Sequence, residues 1–325
     1  MTFLSILFAL LAEQFQPLRA DNRVYAAVKD FGMRMEGWFN AGHANDGRLA
    51  WLLMVAALMV PTTLLYWLCY RTNPFLALAC NVAILYLTLG FRHYSHHFTS
   101  IQLALNAGDE TTARRLLAQW TDIDTTAMDM PEVARLAVEK ALITTHRNVF
   151  GVFFWFLMPI GPACAVMYRL AEYLARAWNE PEHMRNEAFG RFAARAFYWI
   201  DWLPVRLTAV AFAIVGNFED AIYAWRNFAA RWQDEAAGII LSAGSGAMGV
   251  RLGSAAQTAA DALVIDLGDF DAGSIDVDGP LGEEATARAL QSTVGLVWRA
   301  LLLWMLMLLL LSIAVWLGHP LTVTR

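Results

Sequence analysis

Trp51–Tyr70 reads WLLMVAALMVPTTLLYWLCY, and this stretch decides the fold class. It carries no charged side chain over 20 residues. A helix of that length rises about 30 Å, the thickness of a bilayer's hydrocarbon core. Pro61 near its centre predicts a kink without loss of the span. Arg71-Thr72-Asn73-Pro74 follows as a tight polar turn, and Phe75–Phe91 as a second, slightly short apolar helix, so the two form an antiparallel hairpin.

Four further apolar segments lie outward from the hairpin. Leu301–Leu317 (LLLWMLMLLLLSIAVWL) is uniformly apolar between Arg299 and His319, with Trp304 and Trp316 at aromatic-belt positions. Phe150–Met167 is interrupted by Met158-Pro159-Ile160-Gly161-Pro162, which predicts a kinked span or two half-helices. Trp199–Gly216 carries Asp201, Pro204 and Arg206 ahead of its apolar part. Phe3–Ala12 lacks a basic n-region and a small-residue cleavage site, so it reads as a short retained helix. The expected fold is all-α: one polytopic membrane domain over residues 1–325, with four to six segments near 3–12, 51–70, 75–91, 150–167, 199–216 and 301–317.

Composition agrees. The 325 residues are 58% hydrophobic and 16% charged, against about 25% charged in a typical soluble protein. The net charge of −5 offers no basic excess for nucleic-acid phosphates. Lys29 and Lys140 are the only lysines among 24 basic residues, which disfavours a catalytic lysine. Cys69, Cys80 and Cys164 sit in apolar runs without CxxC spacing, so neither a disulfide framework nor a zinc knuckle is expected. With all six segments spanning, 16 of the 24 Lys and Arg fall in loops 13–50, 92–149 and 217–299, which the positive-inside rule places in the cytoplasm. The side of residues 168–200 depends on whether the Pro-Gly-Pro segment crosses or re-enters.

The loops are helical in pattern. Within 92–149, Asp109–Trp120 and Pro131–Leu142 have helical apolar spacing, the first after an Asp cap. Glu182–Trp199 reads as an amphipathic surface helix. Residues 238–290 read as a glycine-rich and acidic loop, whose 254–284 part carries eight acids, no Lys or Arg, and no EF-hand spacing. His93 and His97 would share a helix face, yet no HExxH pattern accompanies them, so they read as interfacial and no metal site is expected.

Two clusters carry chemistry. Asp201 and Arg206, five residues apart at a bilayer boundary, cost several kcal/mol unless they pair or face a polar cavity, and such charges usually mark a site. In Ser242–Gly253 (SAGSGAMGVRLG) glycines surround Arg251, and exposed backbone N–H groups beside a guanidinium make a phosphate or carboxylate cradle. The Gly-Lys-Ser/Thr ending of a Walker A loop is absent.

Leu203-Pro204-Val205-Arg206-Leu207-Thr208, followed by Gly246-Ala247-Met248-Gly249-Val250-Arg251-Leu252-Gly253, resembles the paired signatures of the CobD/CbiB cobalamin-biosynthesis family. The resemblance implies a multi-pass protein of the bacterial inner membrane that joins adenosylcobyric acid to aminopropanol or its phosphate, using ATP and Mg²⁺. It implies substrate-binding roles for Asn148, Arg206, Gly246, Gly249 and Arg251, with acidic work falling to Glu139, Asp201 or Glu13. A polar cleft near Asp201, Arg206 and Arg251 would then take a corrinoid or another phosphate- or carboxylate-bearing ligand; homo-oligomer formation is left open. The chain departs from the family at Glu13-Gln14-Phe15-Gln16-Pro17, at His146–Gly151, and at Arg169–Ala175, where carboxylates of the family pattern are replaced. Ile160-Gly161-Pro162, Asp201–Leu207 and Arg92–His96 are similar instead to the AmpE proteins, which implies a second function, a non-catalytic membrane sensor linked to β-lactamase regulation.

Overall fold

The computed structural model describes residues 2–15, 23–39, 44–89, 91–179, 187–253 and 282–318. The chain folds into α1 (Thr2–Phe15), α2 (Arg23–Phe39), α3 (Ala44–Thr72), α4 (Pro74–Thr88), α5 (Phe91–Asn106), α6 (Glu110–Thr121), α7 (Met130–Thr145), α8 (Gly151–Phe156), α9 (Pro162–Ala177), α10 (Glu187–Val215), α11 (Phe218–Phe228), α12 (Glu235–Met248) and α13 (Ala287–Gly318). A π-turn, His146–Phe150, links α7 to α8. Among the described residues the β-type pairing is one parallel bridge, Val250 with Glu283. The protein is an all-α helical membrane protein.

Three helices, α3, α10 and α13, are long and apolar enough to cross a bilayer; α1 and α4 are apolar but shorter. Leu52, Leu64, Leu65, Trp67 and Leu68 on α3 are exposed, a surface that hydrocarbon solvates and water does not. Pro61 stays inside α3, and the Thr62 and Thr63 hydroxyls donate back to the Leu58 and Met59 carbonyls at 2.7 and 2.8 Å. The hairpin turn is as expected: Asn73 caps α4 by accepting the Phe75 N–H at 2.8 Å, with Pro74 in the first turn.

Of the two alternatives for Phe150–Met167, the structure takes two helices: α8 ends at Phe156 and α9 starts at Pro162, because Pro159 and Pro162 flank Gly161 at φ +59°. Two expectations are corrected. The surface helix before Trp199 and the apolar segment after it are one helix, α10, with Pro204 inside it. Residues 235–248 are a buried helix and not part of a loop, since Gly and Ala there remove the bulk that would keep neighbouring helices apart. The acidic stretch at 254–281 lies outside the described residues.

The chain packs as two compact units, with α10 and α13 contributing to both. The first takes residues 1–93, 147–204 and 304–325; in it α3 packs against α2, α4 and α9, and α4 against α1. The second takes 94–146 and 205–303, centred on α12, which packs against α7 and α11. A Cβ on Gly246 would collide with the Asp220 backbone of α11, and one on Gly244 would lie 2.8 Å from Leu142 of α7. The glycines of the signature are therefore first of all the means by which α12 reaches the centre of its unit.

Candidate functional site

In the second unit α7 starts with Asp129 as its N-cap, accepting the Glu132 N–H at 2.8 Å. The Arg135 side chain reaches along the helix to Glu139 Oε1 at 2.9 Å and to Glu132 at 3.4 Å, the ordinary i,i+4 and i,i+3 spacings. Glu139 is only 9% exposed, and the same Oε1 also accepts the Gly253 N–H at 2.8 Å. Its Oε2 meets no hydrogen-bond donor among the described residues.

Glu139 thereby holds the segment that follows α12. That helix ends at Gly249, which adopts φ 66°, ψ 31°, the left-handed cap that glycine takes without strain. The Ser245 hydroxyl donates to the Val250 carbonyl at 2.7 Å, Arg251 N–H donates to Glu283 O at 2.8 Å, and Glu283 N–H donates to Gly249 O at 2.9 Å. The Arg251 side chain is exposed, with Nη2 3.4 Å from Gly282 O. The expected backbone cradle needs correcting: Gly249 N–H is bonded to Gly246 O, and Val250 and Arg251 N–H are bonded within the fold. Gly246 serves close packing and Gly249 serves the turn. The motif's exposed charged donor is the Arg251 guanidinium. Arg206, also in this unit, pairs with Glu235 at 2.9 Å.

Asp201 and Asn148 belong to the first unit. Asp201 is 2% exposed and accepts the Tyr168 hydroxyl at 2.9 Å, so its cost at the bilayer level is offset inside the protein. Gly151 makes room for that hydroxyl, with which a Cβ would collide. Asn148 sits in the π-turn, a distortion that often re-aims side chains at functional positions. Its Oδ1 accepts from Arg169 Nη1 at 2.5 Å, and Arg169 pairs with Glu172 at 3.5 Å.

The sequence-based candidates thus fall into two groups, one within each unit: Asp201 and Asn148, and Glu139, Arg206, Gly246, Gly249 and Arg251. Arg135, Tyr168, Arg169 and Glu172 escaped the sequence reading as partners. Arg135 with Glu139, and Arg169 with Glu172, stand at helical spacings that single them out. Nothing in sequence spacing ties Tyr168 to Asp201. His97 stacks on Trp120 at 6.3 Å, and no three His, Cys, Asp or Glu side chains among the described residues come together as metal ligands.

The model of the family described as CobD/Cbib protein matches residues 6–264, which include both clusters. The chain belongs to the CobD/CbiB family. A cobalamin biosynthesis protein CobD of Stutzerimonas stutzeri is 34% identical to it over 315 residues, 94% of this chain and 97% of the relative. The CobD protein of Chromobacterium violaceum is 36% identical over 210 residues, 65% of this chain and 66% of the relative. That of Mycobacterium tuberculosis H37Rv is 30% identical over 220 residues, 64% and 68% of the two chains. No solved structure matches the chain. Cobalamin biosynthesis is therefore the setting of this CobD/CbiB protein.

Proposed function

We propose that the protein forms an amide bond between cobyric acid and aminopropanol, or aminopropanol phosphate, at the expense of ATP with Mg²⁺. It does so as a multi-pass protein of the bacterial inner membrane, with its large polar loops in the cytoplasm. The observation that carries the proposal is similarity over 94% of the chain to a protein named for cobalamin biosynthesis.

The chemistry asks for cations where negative charge develops as a carboxylate is activated and an amine attacks it. Arg251 is exposed on a segment fixed by Glu139, and Arg206 lies at the start of α12 through Glu235, so two guanidiniums within one unit stand on held backbone. Mg²⁺ that arrives with a nucleotide needs one or two protein carboxylates beside the phosphates. Glu139 fits that demand, with one oxygen engaged by the fold and Oε2 unengaged.

The test incubates the purified protein in detergent with cobyric acid, aminopropanol phosphate and Mg–ATP, and follows the amide product by mass spectrometry. Product is expected from the wild type and not from Arg206→Ala or Arg251→Ala. No product beside an active control enzyme ends the ligase proposal and leaves a non-catalytic membrane regulator.

A further inference from the structure

The polar side of α9 holds a cation that its neighbours engage at one nitrogen only. Arg169 turns Nη1 to Asn148 Oδ1 at 2.5 Å and Glu172 Oε2 at 3.5 Å. Its Nε is buried with no hydrogen-bond partner, and Nη2 meets none among the described residues either. Nε and Nη2 form the side-on edge of the planar guanidinium, the edge that matches two oxygens of one oxyanion with two parallel N–H donors. A dry, unpaired donor on a charged group is rare in folded proteins and asks for an explanation. Asn148 and Glu172 meanwhile fix the plane from the far side, which is the preorganisation a bidentate contact requires.

Further cations follow on the same helix, at a crevice about one to two turns beyond Arg169. Tyr173 and Arg176 of α9, with Lys29, Met33 and Glu36 of α2, line a crevice of ≈ 200 Å³. Two cations against one carboxylate favour an anion of higher charge over a single carboxylate. We propose that the side-on edge of Arg169, held by Asn148 and Glu172, binds a phosphate group, carried by a soluble phosphate ester or by a lipid headgroup. This site lies in the first unit and uses Asn148, to which the family resemblance gives a substrate-binding role, but none of Glu139, Arg206 and Arg251 of the second unit on which the ligase proposal rests, so that proposal can fail while phosphate still binds here.

The experiment titrates the full-length protein in neutral detergent with inorganic phosphate by calorimetry, and counts retained phospholipid by native mass spectrometry. For a soluble ligand the wild type saturates, Arg169→Lys binds about tenfold more weakly because an ammonium cannot present two parallel donors, and Glu172→Gln binds more tightly because a competing negative charge is gone. For a headgroup the titration is flat, one phospholipid stays bound to the wild type, and Arg169→Lys loses it. A flat titration with no retained phospholipid overturns the proposal, as does Arg169→Lys matching the wild type in both readouts. Should Arg169→Lys not fold, Glu172→Gln decides: a change in phosphate affinity or in lipid retention supports the site, and none overturns it.

Discussion

Glu139 of α7 accepts the backbone N–H of Gly253, 114 residues further along the chain, at 2.8 Å. The bond pins the segment bearing Arg251 to a helix that is itself buried, so a flexible arginine acquires a fixed base. Glu139→Ala removes this acceptor and leaves the Arg135 guanidinium, whose side chain is 13% exposed, with its longer 3.4 Å contact to Glu132. Breaking a buried pair from one side costs about 3 kcal/mol. The expected outcome is a lower unfolding midpoint in detergent and faster hydrogen exchange at Gly253. Glu139→Gln keeps an acceptor for Gly253 and should recover the exchange protection.

Two glycines of one motif are expected to respond differently to alanine. Gly246→Ala drives a methyl into the Asp220 backbone, where nothing can rotate away, and overpacking of this kind costs about 1–3 kcal/mol. Gly249→Ala meets no atom within 4 Å, so its cost is the left-handed backbone alone, about 1–2 kcal/mol. Pairing Gly246→Ala with Ala221→Gly on the facing helix should leave the first loss in place, because the methyl meets the Asp220 carbonyl and the Ala221 Cα, atoms that the second change does not remove. Unfolding midpoints of the three variants and the double variant settle this.

The contrast also marks how far the sequence could be read. Apolar length and the Asn73-Pro74 signal placed α3 and α4, and the Asp109 cap and the apolar spacing of Pro131–Leu142 announced α6 and α7, because these are local physics. The Gly-rich stretch at 242–249 was misjudged as loop and cradle. Whether a glycine serves exposure or close approach depends on what faces it, and Asp220 and Leu142 are distant in sequence. Asp201 stood out as a costly charge, yet its partner Tyr168 was hidden, since nothing local links 33 residues of separation. Trp199–Gly216 seemed a weak span because Asp201 and Arg206 dilute its hydropathy. With Asp201 bonded to Tyr168 and Arg206 to Glu235, α10 carries both without exposing them unpaired to lipid.

Acid should loosen α6 from its start. The Asp109 carboxyl is held below its ordinary range by hydrogen bonds from the Thr112 hydroxyl and N–H and from the Thr111 hydroxyl. A carboxyl lowered in the folded state stabilises above its unfolded pKa and loses that contribution as pH falls through the folded value. Residues 110–113 are therefore expected to fray only below the ordinary aspartate range near 3.8, and Asp109→Asn, which still caps but does not titrate, should flatten the dependence. Amide exchange at Thr112 across pH 2–6 measures it; equal pH dependence in both proteins would contradict the assignment.

Tyr168→Phe removes the hydroxyl that donates to buried Asp201 and should cost about 1–3 kcal/mol, the range for stripping a partner from a buried polar group. Gly151→Ala acts on the same bond from the other side by pushing a methyl against that hydroxyl, while Phe197, 5.7 Å away between ring centroids, restricts the escape of the ring. It should destabilise at least as much. In the double variant the methyl still meets the ring at Cζ and Cε1, but the bond to Asp201 is lost only once, so the combined loss should be less than the sum of the separate ones, a coupling read directly from a thermodynamic cycle.

Arg206 and Glu235 separate structure from chemistry. Their 2.9 Å pair is partly solvated, with side chains 26% and 45% exposed, so its own contribution is about 0.5 kcal/mol after solvent screening. Arg206→Ala should barely move the unfolding midpoint. Exchanging the two as Arg206→Glu with Glu235→Arg restores the pair with its polarity reversed, and stability should return to the wild-type value. If Arg206 supplies positive charge to a reacting carboxylate, the exchanged protein stays inactive in the amide-forming assay although it is as stable as the wild type. If activity returns with the pair, Arg206 only braces α10 against α12, and the cationic role passes to Arg251 alone.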